Sequence, residues 1–147
     1  MKKFVLPVRV EVFIYTKVES KILYLLIKRI PEDGGFWQPV TGTQESDESV
    51  ESCIFREVKE EVGYKKEMIS GITEKIYEFT WMKKNKLICE FVFGIELKIK
   101  IDPVLSQAEH EDFKWVEFNE AMKTLKMKDN RNALKILNIS LNNTYNK

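Results

Sequence analysis

Residues 42 to 64, GTQESDESVESCIFREVKEEVGY, place an acidic cluster at the carboxyl end of a predicted helix. Glu57, Glu60 and Glu61 lie in its last turn and a half, where the helix dipole disfavours negative charge by roughly 0.3–1 kcal/mol per group. Because they are related as i, i+3 and i+4, the three side chains are neighbours on the helix surface. Like charges crowded at this end indicate a function that a stable helix alone does not require.

The helical wheel directs these carboxylates partly toward the body of the protein. The apolar stripe of the same helix consists of Val50, Ile54, Val58 and Val62. Glu61 falls inside the arc of this stripe and Glu57 at its edge, which argues against the ordinary alternative of a solvated acidic face. Arg56 can brace Glu60 from the side, whereas Lys59 lies too far round to neutralise the cluster. Inward carboxylates without a neighbouring His or Cys suit a hard cation such as Mg²⁺ or Mn²⁺.

The overall charge favours a small anionic substrate over a macromolecular one. Twenty-four Lys and Arg against 23 Asp and Glu give a net charge of +1, so no bulk field favours nucleic acid or an anionic membrane. Protein-bound Mg²⁺ keeps several waters and prefers one or two carboxylates together with substrate phosphates. The acidic cluster therefore predicts a phosphate ester or anhydride as substrate.

Length and composition predict a single domain, residues 1–147, with 44% hydrophobic residues. The start, MKKFVLPVRVEVFIY, does not match a signal peptide because Arg9 and Glu11 interrupt any apolar run. No segment approaches the ~20 apolar residues of a membrane span. We therefore expect a cytoplasmic protein, in which Cys53 and Cys89 are buried thiols rather than a disulfide.

The periodicity predicts strands interspersed with helices, hence an α/β or α+β sandwich. Strands are expected, in chain order, over residues 8–16, 21–27, 75–82, 86–100 and 112–118. The first two pair across a turn at Glu19 and Ser20, and the third and fourth form a hairpin. PEDGG is a loop and FWQPVTGT a short extended segment. After the acidic helix, NEAMKTLKM and NRNALKILNISL predict one or two further helices before a polar tail, NNTYNK, that is expected to fray.

The segment 42–64 resembles the Nudix box: glycine, five residues, glutamate, seven residues, then Arg-Glu-aliphatic-any-Glu-Glu-any-Gly-aliphatic. The matched positions are Gly42, Glu48, Arg56, Glu57, Val58, Glu60, Glu61, Gly63 and Tyr64. Tyr64 departs from the pattern, since the family usually has an aliphatic residue at this packing position. The resemblance implies a strand–loop–helix–loop that holds divalent metal, an α/β/α sandwich with a mixed β-sheet, and hydrolysis of a nucleoside diphosphate linked to another group.

The segments within and around the box indicate which branch of the family the chain resembles. FWQPVTG, REVKEEV, EHEDFKWV and NRNALKIL together look like the bacterial dihydroneopterin triphosphate pyrophosphatase branch, also described as dATP pyrophosphohydrolase. This implies Mg²⁺- or Mn²⁺-dependent cleavage of a (d)NTP or pterin triphosphate to the monophosphate and pyrophosphate, by a monomer or homodimer. Residues 65–100 show little that matches this branch. The alternatives are hydrolysis of a dinucleoside polyphosphate or ADP-ribose, a non-catalytic nucleotide-binding sensor, and a diphosphate isomerase.

The resemblance also implies roles for individual residues. The family places metal on the box glutamates, here Glu57, Glu60 and Glu61. Glu109 of EHEDF occupies the place of a further carboxylate that completes the metal site or activates the water. Glu111 and Asp112 are the neighbouring residues that could take this role instead. The alternative without a function is that EHED is a solvated loop. Catalytic roles fall to Glu57, to Glu109 and to Arg56, which pairs with a box glutamate and orients it.

Substrate contacts are predicted at Arg29, Trp37, Gln38 and Gly42. Arg29 can reach phosphate oxygens, and Trp37 or Gln38 can stack on or hydrogen-bond to a base or pterin, with core packing as the alternative for the tryptophan. Gly42 allows a close approach that a Cβ forbids. Three aromatic residues are expected in the core, Trp81, Phe113 and Trp115. His110 is interpreted as a bystander, and the family likeness suggests Asn130 and Arg131 near the pocket.

Overall fold

A hairpin in the first part of the chain forms the centre of the sheet. In the computed structural model, which describes residues 6–145, strand β1 spans Val8–Val18 and strand β2 spans Lys21–Arg29. The two strands pair antiparallel. Glu19, in the turn between them, adopts a positive φ of 58°. The predicted strand pair is therefore confirmed.

The other elements follow the predicted order with one addition. They are β3 Trp37–Gln38, β4 Val40–Thr43, α1 Val50–Val62, β5 Ile69–Ile72, β6 Tyr77–Lys83, β7 Lys86–Leu97, β8 His110–Val116, α2 Phe118–Thr124 and α3 Lys128–Tyr145. The β6–β7 hairpin is confirmed, and Lys84 and Asn85 both have positive φ, as tight two-residue hairpin turns require. The additional strand is β5, whose four residues include a glycine and show no clear alternation.

Two segments differ from their predictions. The PEDGG loop contains a 3-10 turn over Pro31–Asp33. The polar tail that was expected to fray is helical up to Tyr145, because α3 continues through it. Residues 146–147, the end of that tail, lie outside the described residues.

The sheet is mixed. Its main path runs β3-β2-β1-β7-β5, with β4 beside β1, β6 beside β7 and β8 beside β2. Strands β1 and β7 are parallel and the remaining pairings are antiparallel. A parallel pair needs a long crossover, and here the intervening chain carries α1.

Alternation along β1 divides the core into two layers, because successive side chains of a strand point to opposite faces. One face contributes Val10, Val12 and Ile14 to a cluster with Ile54, Val58 and Val62 of α1. The other contributes Phe13 and Tyr15 to a cluster with Ala121, Leu125, Leu134 and Leu137 from the α2–α3 region. The expected α/β/α sandwich is confirmed. None of the helices within residues 6–145 is long and apolar enough to span a membrane.

Most of the predicted core residues are found there. Phe113 and Trp115 pack, partly buried, against the α1 cluster. Cys53 is fully buried and Cys89 is partly exposed, and both are free thiols. Tyr64 is 2% exposed and packs in the same cluster, so the departure from the box pattern occupies a packing position.

Capping residues fix both ends of α1. Ser49 is the N-cap, and its Oγ accepts a hydrogen bond from the backbone N–H of Ser52 at 3.0 Å. Gly63 ends the helix with φ of 78°, a left-handed conformation that glycine adopts without strain. The acidic cluster therefore lies on a helix with defined ends.

Replacing Ser49 with alanine removes the N-cap acceptor, and we expect Ser49→Ala to lower the free energy of unfolding by about 1 kcal/mol. Urea denaturation measures this change. Ser20→Ala, at an exposed turn remote from α1, is the matched control and should change stability by less than about 0.5 kcal/mol. Equal effects of the two substitutions would contradict the capping role.

Candidate active site

A cavity of about 780 Å³ opens beside the acidic end of α1. Its size falls within the range of small-molecule sites. The box residues that line it are Gly42, Arg56, Glu57 and Glu61, and Glu109 joins them from the segment before β8. The structure therefore brings together residues that are 67 positions apart in the sequence, 109 minus 42.

Arg56 is the cation on which the box depends. Its Nε and Nη2 donate to the two oxygens of Glu48 at 2.7 and 3.0 Å, and its Nη1 donates to Glu57 at 2.8 Å and Glu60 at 3.2 Å. The Nη2 also donates to the carbonyl of Thr43 at 3.0 Å. The hydrogen bond from Arg56 lowers the pKa of Glu48 to about 2. As predicted from the sequence, Arg56 contacts box glutamates and is placed to orient them.

Gly42 makes room for Glu57. A Cβ at this position would lie 2.0 Å from the Glu57 Cδ, which is too close for two carbon atoms that are not bonded to each other. The predicted close approach is therefore present, with a carboxylate of the site as the approaching group. Burial raises the pKa of Glu57, although Arg56 opposes the shift.

Glu61 is the most perturbed carboxylate of the box. It is 6% exposed, and its Oε2 is buried without a hydrogen-bond partner among the described residues. Burial, followed by the negative charges of Glu57 and Glu109, raises its pKa to about 9, while a hydrogen bond from the Thr41 backbone opposes the shift. An anion in this position has no compensating cation among residues 6–145.

His110 adjoins this cluster. One of its ring nitrogens and one oxygen from each of Glu61 and Glu109 lie within 4.8 Å of one another. The Gln38 side chain fixes the ring, because its Oε1 accepts from Arg29 Nε at 2.8 Å, which leaves its Nε2 to donate to His110 Nε2 at 3.0 Å. Burial lowers the pKa of His110. The sequence predicted a bystander, whereas the structure places the ring in the site.

These carboxylates fit a hard divalent cation. The buried, unpartnered oxygen of Glu61 requires either a proton or a positive charge. Glu57 and Glu109 are close enough to raise its pKa, so they supply further oxygen donors. Carboxylate oxygens are the ligands that Mg²⁺ and Mn²⁺ prefer.

Two predicted site residues, Glu60 and Trp37, do not line the cavity formed by residues 6–145. The Glu60 side chain is 59% exposed and pairs with Arg56 on the flank of α1, since a position i+3 from Glu57 turns outward past the apolar stripe. Trp37 packs against the α2–α3 core cluster, with the Lys114 ammonium 4.7 Å from its ring centre. Its predicted substrate contact is therefore replaced by the alternative, core packing.

The other predicted substrate residues do line the cavity. Arg29 and Gln38 do so through the hydrogen-bonded chain that reaches His110. Arg29 is also held by Asp33 at 3.2 Å and lies 4.8 Å from the Phe36 ring. These contacts hold its guanidinium in a defined position in the cavity wall.

Several cavity residues were missed by sequence reasoning. They are Arg9, Glu11, Phe79, Trp81, Lys83, Glu90, Lys128 and Asp129. Trp81 was predicted in the core, but it lines the cavity on β6. A signal was present, because Tyr77, Phe79 and Trp81 alternate along one face of that strand. Asn130 lines the cavity as the family likeness suggested, whereas Arg131 does not.

Comparison with known proteins places the chain in a family. A family model described as the NUDIX domain matches residues 5–137. A dihydroneopterin triphosphate diphosphatase of Haemophilus influenzae is 33% identical over 135 residues, which are 84% of this chain and 82% of that protein. An octanoyltransferase of Myxococcus xanthus is 32% identical over 111 residues, 76% of this chain. The chain spans only 31% of that second protein.

The fold of this chain is also similar to the folds of solved structures. A C. elegans Ap4A hydrolase binary complex has a TM-score of 0.83 and 26% identity, with 94% of this chain and 99% of that chain covered. The E. coli dihydroneopterin triphosphate pyrophosphohydrolase has a TM-score of 0.72 and 27% identity, with 89% and 95% covered. The chain therefore belongs to the Nudix family, whose hydrolases act on phosphoanhydride bonds.

Proposed function

We propose that the protein is a Mg²⁺- or Mn²⁺-dependent pyrophosphohydrolase that cleaves a nucleoside triphosphate-type substrate, a (d)NTP or dihydroneopterin triphosphate, to the monophosphate and pyrophosphate. One observation carries the proposal: a single cavity holds the carboxylates of Glu57, Glu61 and Glu109 together with the aromatic side chains Phe79 and Trp81. Glu61 is buried, Glu57 is partly buried and Glu109 is exposed. Carboxylates that bind metal suit a phosphate chain, and aromatic rings suit a planar heterocycle.

Residues of the acidic cluster would hold the metal. Glu57, Glu61 and Glu109 supply the oxygens, and Glu60, the fourth carboxylate expected from the box, lies at the flank beside Arg56. When bound, the cation offsets the charge on the phosphates and lowers the pKa of the attacking water. Arg56 keeps Glu57 in position, because its hydrogen bond and the space at Gly42 fix that carboxylate together.

The reaction is a displacement at phosphorus. The oxygen of a water molecule forms a bond to the α- or the β-phosphorus of the triphosphate chain, and the bridging P–O bond between these two phosphorus atoms breaks. The bonding electrons leave with pyrophosphate after attack at the α-phosphorus, or with the monophosphate after attack at the β-phosphorus. Glu57 or Glu109 accepts the proton that the water loses. Arg29 lies where it can donate to the phosphate oxygens, and the bond to Gln38 holds it there. The protein thus contributes mainly positioning and electrostatics.

The relatives support this substrate class. The Haemophilus protein, which is 33% identical, is named a dihydroneopterin triphosphate diphosphatase. The E. coli enzyme with the same fold is a dihydroneopterin triphosphate pyrophosphohydrolase. Both names specify a triphosphate, which agrees with a cavity that has one acidic end and one aromatic wall.

A second candidate is hydrolysis of a dinucleoside polyphosphate. The similarity to the C. elegans Ap4A hydrolase, at a TM-score of 0.83, favours it. Such a substrate carries a second nucleoside, which needs its own contacts. The aromatic cavity residues Phe79 and Trp81 lie together on β6 and form one platform. The third aromatic cavity residue, Phe36, has its ring covered by the Arg29 guanidinium. One open platform favours a substrate with one heterocycle.

A substrate panel tests the proposed function. Purified protein with Mg²⁺ or Mn²⁺ is given nucleoside triphosphates, dihydroneopterin triphosphate, Ap4A and ADP-ribose. We expect triphosphates to give the highest kcat/KM and pyrophosphate, not orthophosphate, as the primary product. Reaction in ¹⁸O-labelled water should place the label in either the monophosphate or the pyrophosphate.

Two outcomes would contradict parts of the proposal. Ap4A or ADP-ribose exceeding every triphosphate by a hundredfold in kcat/KM, about 2.7 kcal/mol, would exclude the triphosphate class. Metal-dependent hydrolysis that persists unchanged in Glu61→Gln would exclude the acidic cluster as the site. Glu51→Gln is the matched control, since Glu51 is an exposed glutamate in the first turn of the same helix.

Glu109 and Glu111 provide a second matched pair. Glu109 adjoins Glu61, whereas Glu111 turns away and pairs with Lys28 at 3.4 Å. We expect Glu109→Gln to lower kcat by about a hundredfold and to raise the metal concentration needed for half-maximal activity. Glu111→Gln should stay within about twofold of wild type, because exposed ion pairs contribute little. Steady-state kinetics over a metal titration measures both, and the reverse ranking would transfer the role to Glu111.

The pKa of Glu61 predicts a pH dependence of stability. Because the folded-state pKa of about 9 lies above the ordinary value of 4.5, the folded state binds the proton more tightly, and this stability is lost as the pH rises toward 9. Metal-free wild-type protein should therefore lose more Tm than Glu61→Gln when the pH is raised from about 6 to about 9. Added Mg²⁺ should restore the wild-type Tm at high pH. Parallel melting curves for the two proteins would show that Glu61 does not titrate in this range.

A further inference from the structure

A second buried polar cluster lines the same cavity. Its members are Glu11 on β1, Glu90 on β7 and Asn130 on α3, and they are 1%, 5% and 7% exposed. None of them belongs to the box or to the segment before β8. Burying two carboxyl groups is costly unless they have partners, so this cluster requires an explanation of its own.

The partners within the protein satisfy only part of the cluster. Asn130 Nδ2 donates to Glu11 Oε1 at 2.6 Å, and Trp81 Nε1 donates to Glu90 Oε1 at 3.0 Å. The Arg9 Nε lies 3.5 Å from the same Glu90 oxygen. Glu11 Oε2, however, is buried and has no hydrogen-bond donor within residues 6–145. A proton shared with the neighbouring Glu90 carboxyl can satisfy it in the free protein, but the oxygen remains an acceptor that a ligand can use.

An aromatic wall stands beside this acceptor. Phe79 and Trp81 point to the same side of β6 and line the cavity. Trp81 is held in place by its hydrogen bond to Glu90 and by the Arg9 guanidinium, 6.0 Å from the ring centre. A fixed aromatic ring next to a buried acceptor suits a planar heterocycle whose edge carries N–H donors.

The donor pattern of the heterocycle distinguishes the possible ligands. A carboxylate accepts two hydrogen bonds side by side, one on each oxygen, and each oxygen has two lone pairs, so Glu11 Oε1 can accept from a ligand as well as from Asn130. Guanine and pterins have a 2-amino-4-oxopyrimidine ring, in which a ring N–H and the amino group are adjacent donors. Adenine and cytosine place their amino group next to an acceptor nitrogen, and thymine has a single ring N–H between two carbonyls. Only guanine and the pterins present two adjacent donors to a carboxylate.

We propose that Glu11, supported by Asn130 and Glu90, binds the amino and ring N–H donors of a 2-amino-4-oxopyrimidine heterocycle that stacks on Trp81. This inference rests on the proposed function, since it places the heterocycle of a triphosphate substrate. It makes Glu11 a specificity-determining residue for the cleaved triphosphate. Guanine nucleotides and pterin triphosphates are then the preferred substrate class.

A single amino group tests the proposal. The nucleotide dITP lacks the 2-amino group of dGTP and is otherwise the same molecule. We expect wild-type kcat/KM to be at least about tenfold higher for dGTP than for dITP, because dITP leaves the Glu11 acceptor without one donor. Glu11→Gln replaces an acceptor oxygen with a donor, and the dGTP to dITP ratio should then fall close to one.

Glu96→Gln is the matched control for the variant. Glu96 lies on the same strand as Glu90, but its carboxylate pairs with Lys17 at 3.6 Å and does not line the cavity formed by residues 6–145. This variant should keep the wild-type ratio. A merely structural role of Glu11 would change stability or overall rate without changing the ratio between two substrates that differ by one amino group.

The outcomes separate this inference from the proposed function. Equal kcat/KM for dGTP and dITP in the wild-type enzyme would overturn the role of Glu11, with triphosphate hydrolysis left standing, and this comparison does not depend on the variant folding. If no triphosphate is cleaved, the proposed function fails. The heterocycle site is then tested separately, by calorimetric measurement of the affinities for GMP and IMP. Equal affinity for the two monophosphates would then overturn it.

Discussion

The acidic helix α1 depends on one cation, the guanidinium of Arg56. It donates to both oxygens of Glu48, to Glu57 and to the Thr43 carbonyl, and so ties the loop before α1 to the last turns of that helix. These bonds neutralise the outer part of the cluster. Glu61 lies further inside, and its Oε2 has no partner within the described chain. The fold thus compensates the outer charges of the cluster and leaves Glu61, which lines the cavity, without a compensating cation in the described part of the chain.

Strand β4 connects this site to the rest of the cavity. The β1–β4 register places Arg9 opposite Thr43 and Glu11 opposite Thr41. Thr43 accepts from Arg56, and the Thr41 backbone donates to Glu61. The same short strand therefore borders the acidic cluster on one side and the second polar cluster on the other. Because each ladder position is fixed by backbone hydrogen bonds, the spacing between the two clusters is fixed by the sheet rather than by flexible loops.

The sequence predicted what depends on local periodicity and on the box. The wheel of α1 placed Glu57 and Glu61 inward, and Glu61 is buried while Glu57 is partly buried. The metal role that the resemblance implied for Glu60 is different, because this side chain turns outward at i+3 from Glu57 and pairs with Arg56, the contact that the wheel predicted. Trp37 and Trp81 were exchanged between core and cavity, because alternation groups the aromatic side chains of a strand on one face without showing which face meets the helices. In the sequence, Glu11 is one charged residue in a strand where polar and apolar residues alternate. Its burial comes from β7 and α3, which lie far along the chain.

The two clusters are complementary in what they lack. Among residues 6–145, Glu61 of the first cluster has no compensating cation, and Glu11 Oε2 of the second has no hydrogen-bond donor. Leaving such groups unsatisfied costs stability, roughly 1–3 kcal/mol for each neutral group and more for a charged one. On the proposed function, one substrate relieves both deficits, since its metal-bound phosphates meet the first cluster and its heterocycle meets the second. A phosphate chain without the heterocycle relieves only one, so binding energy from the remote end of the substrate is available to position the bond that is cleaved.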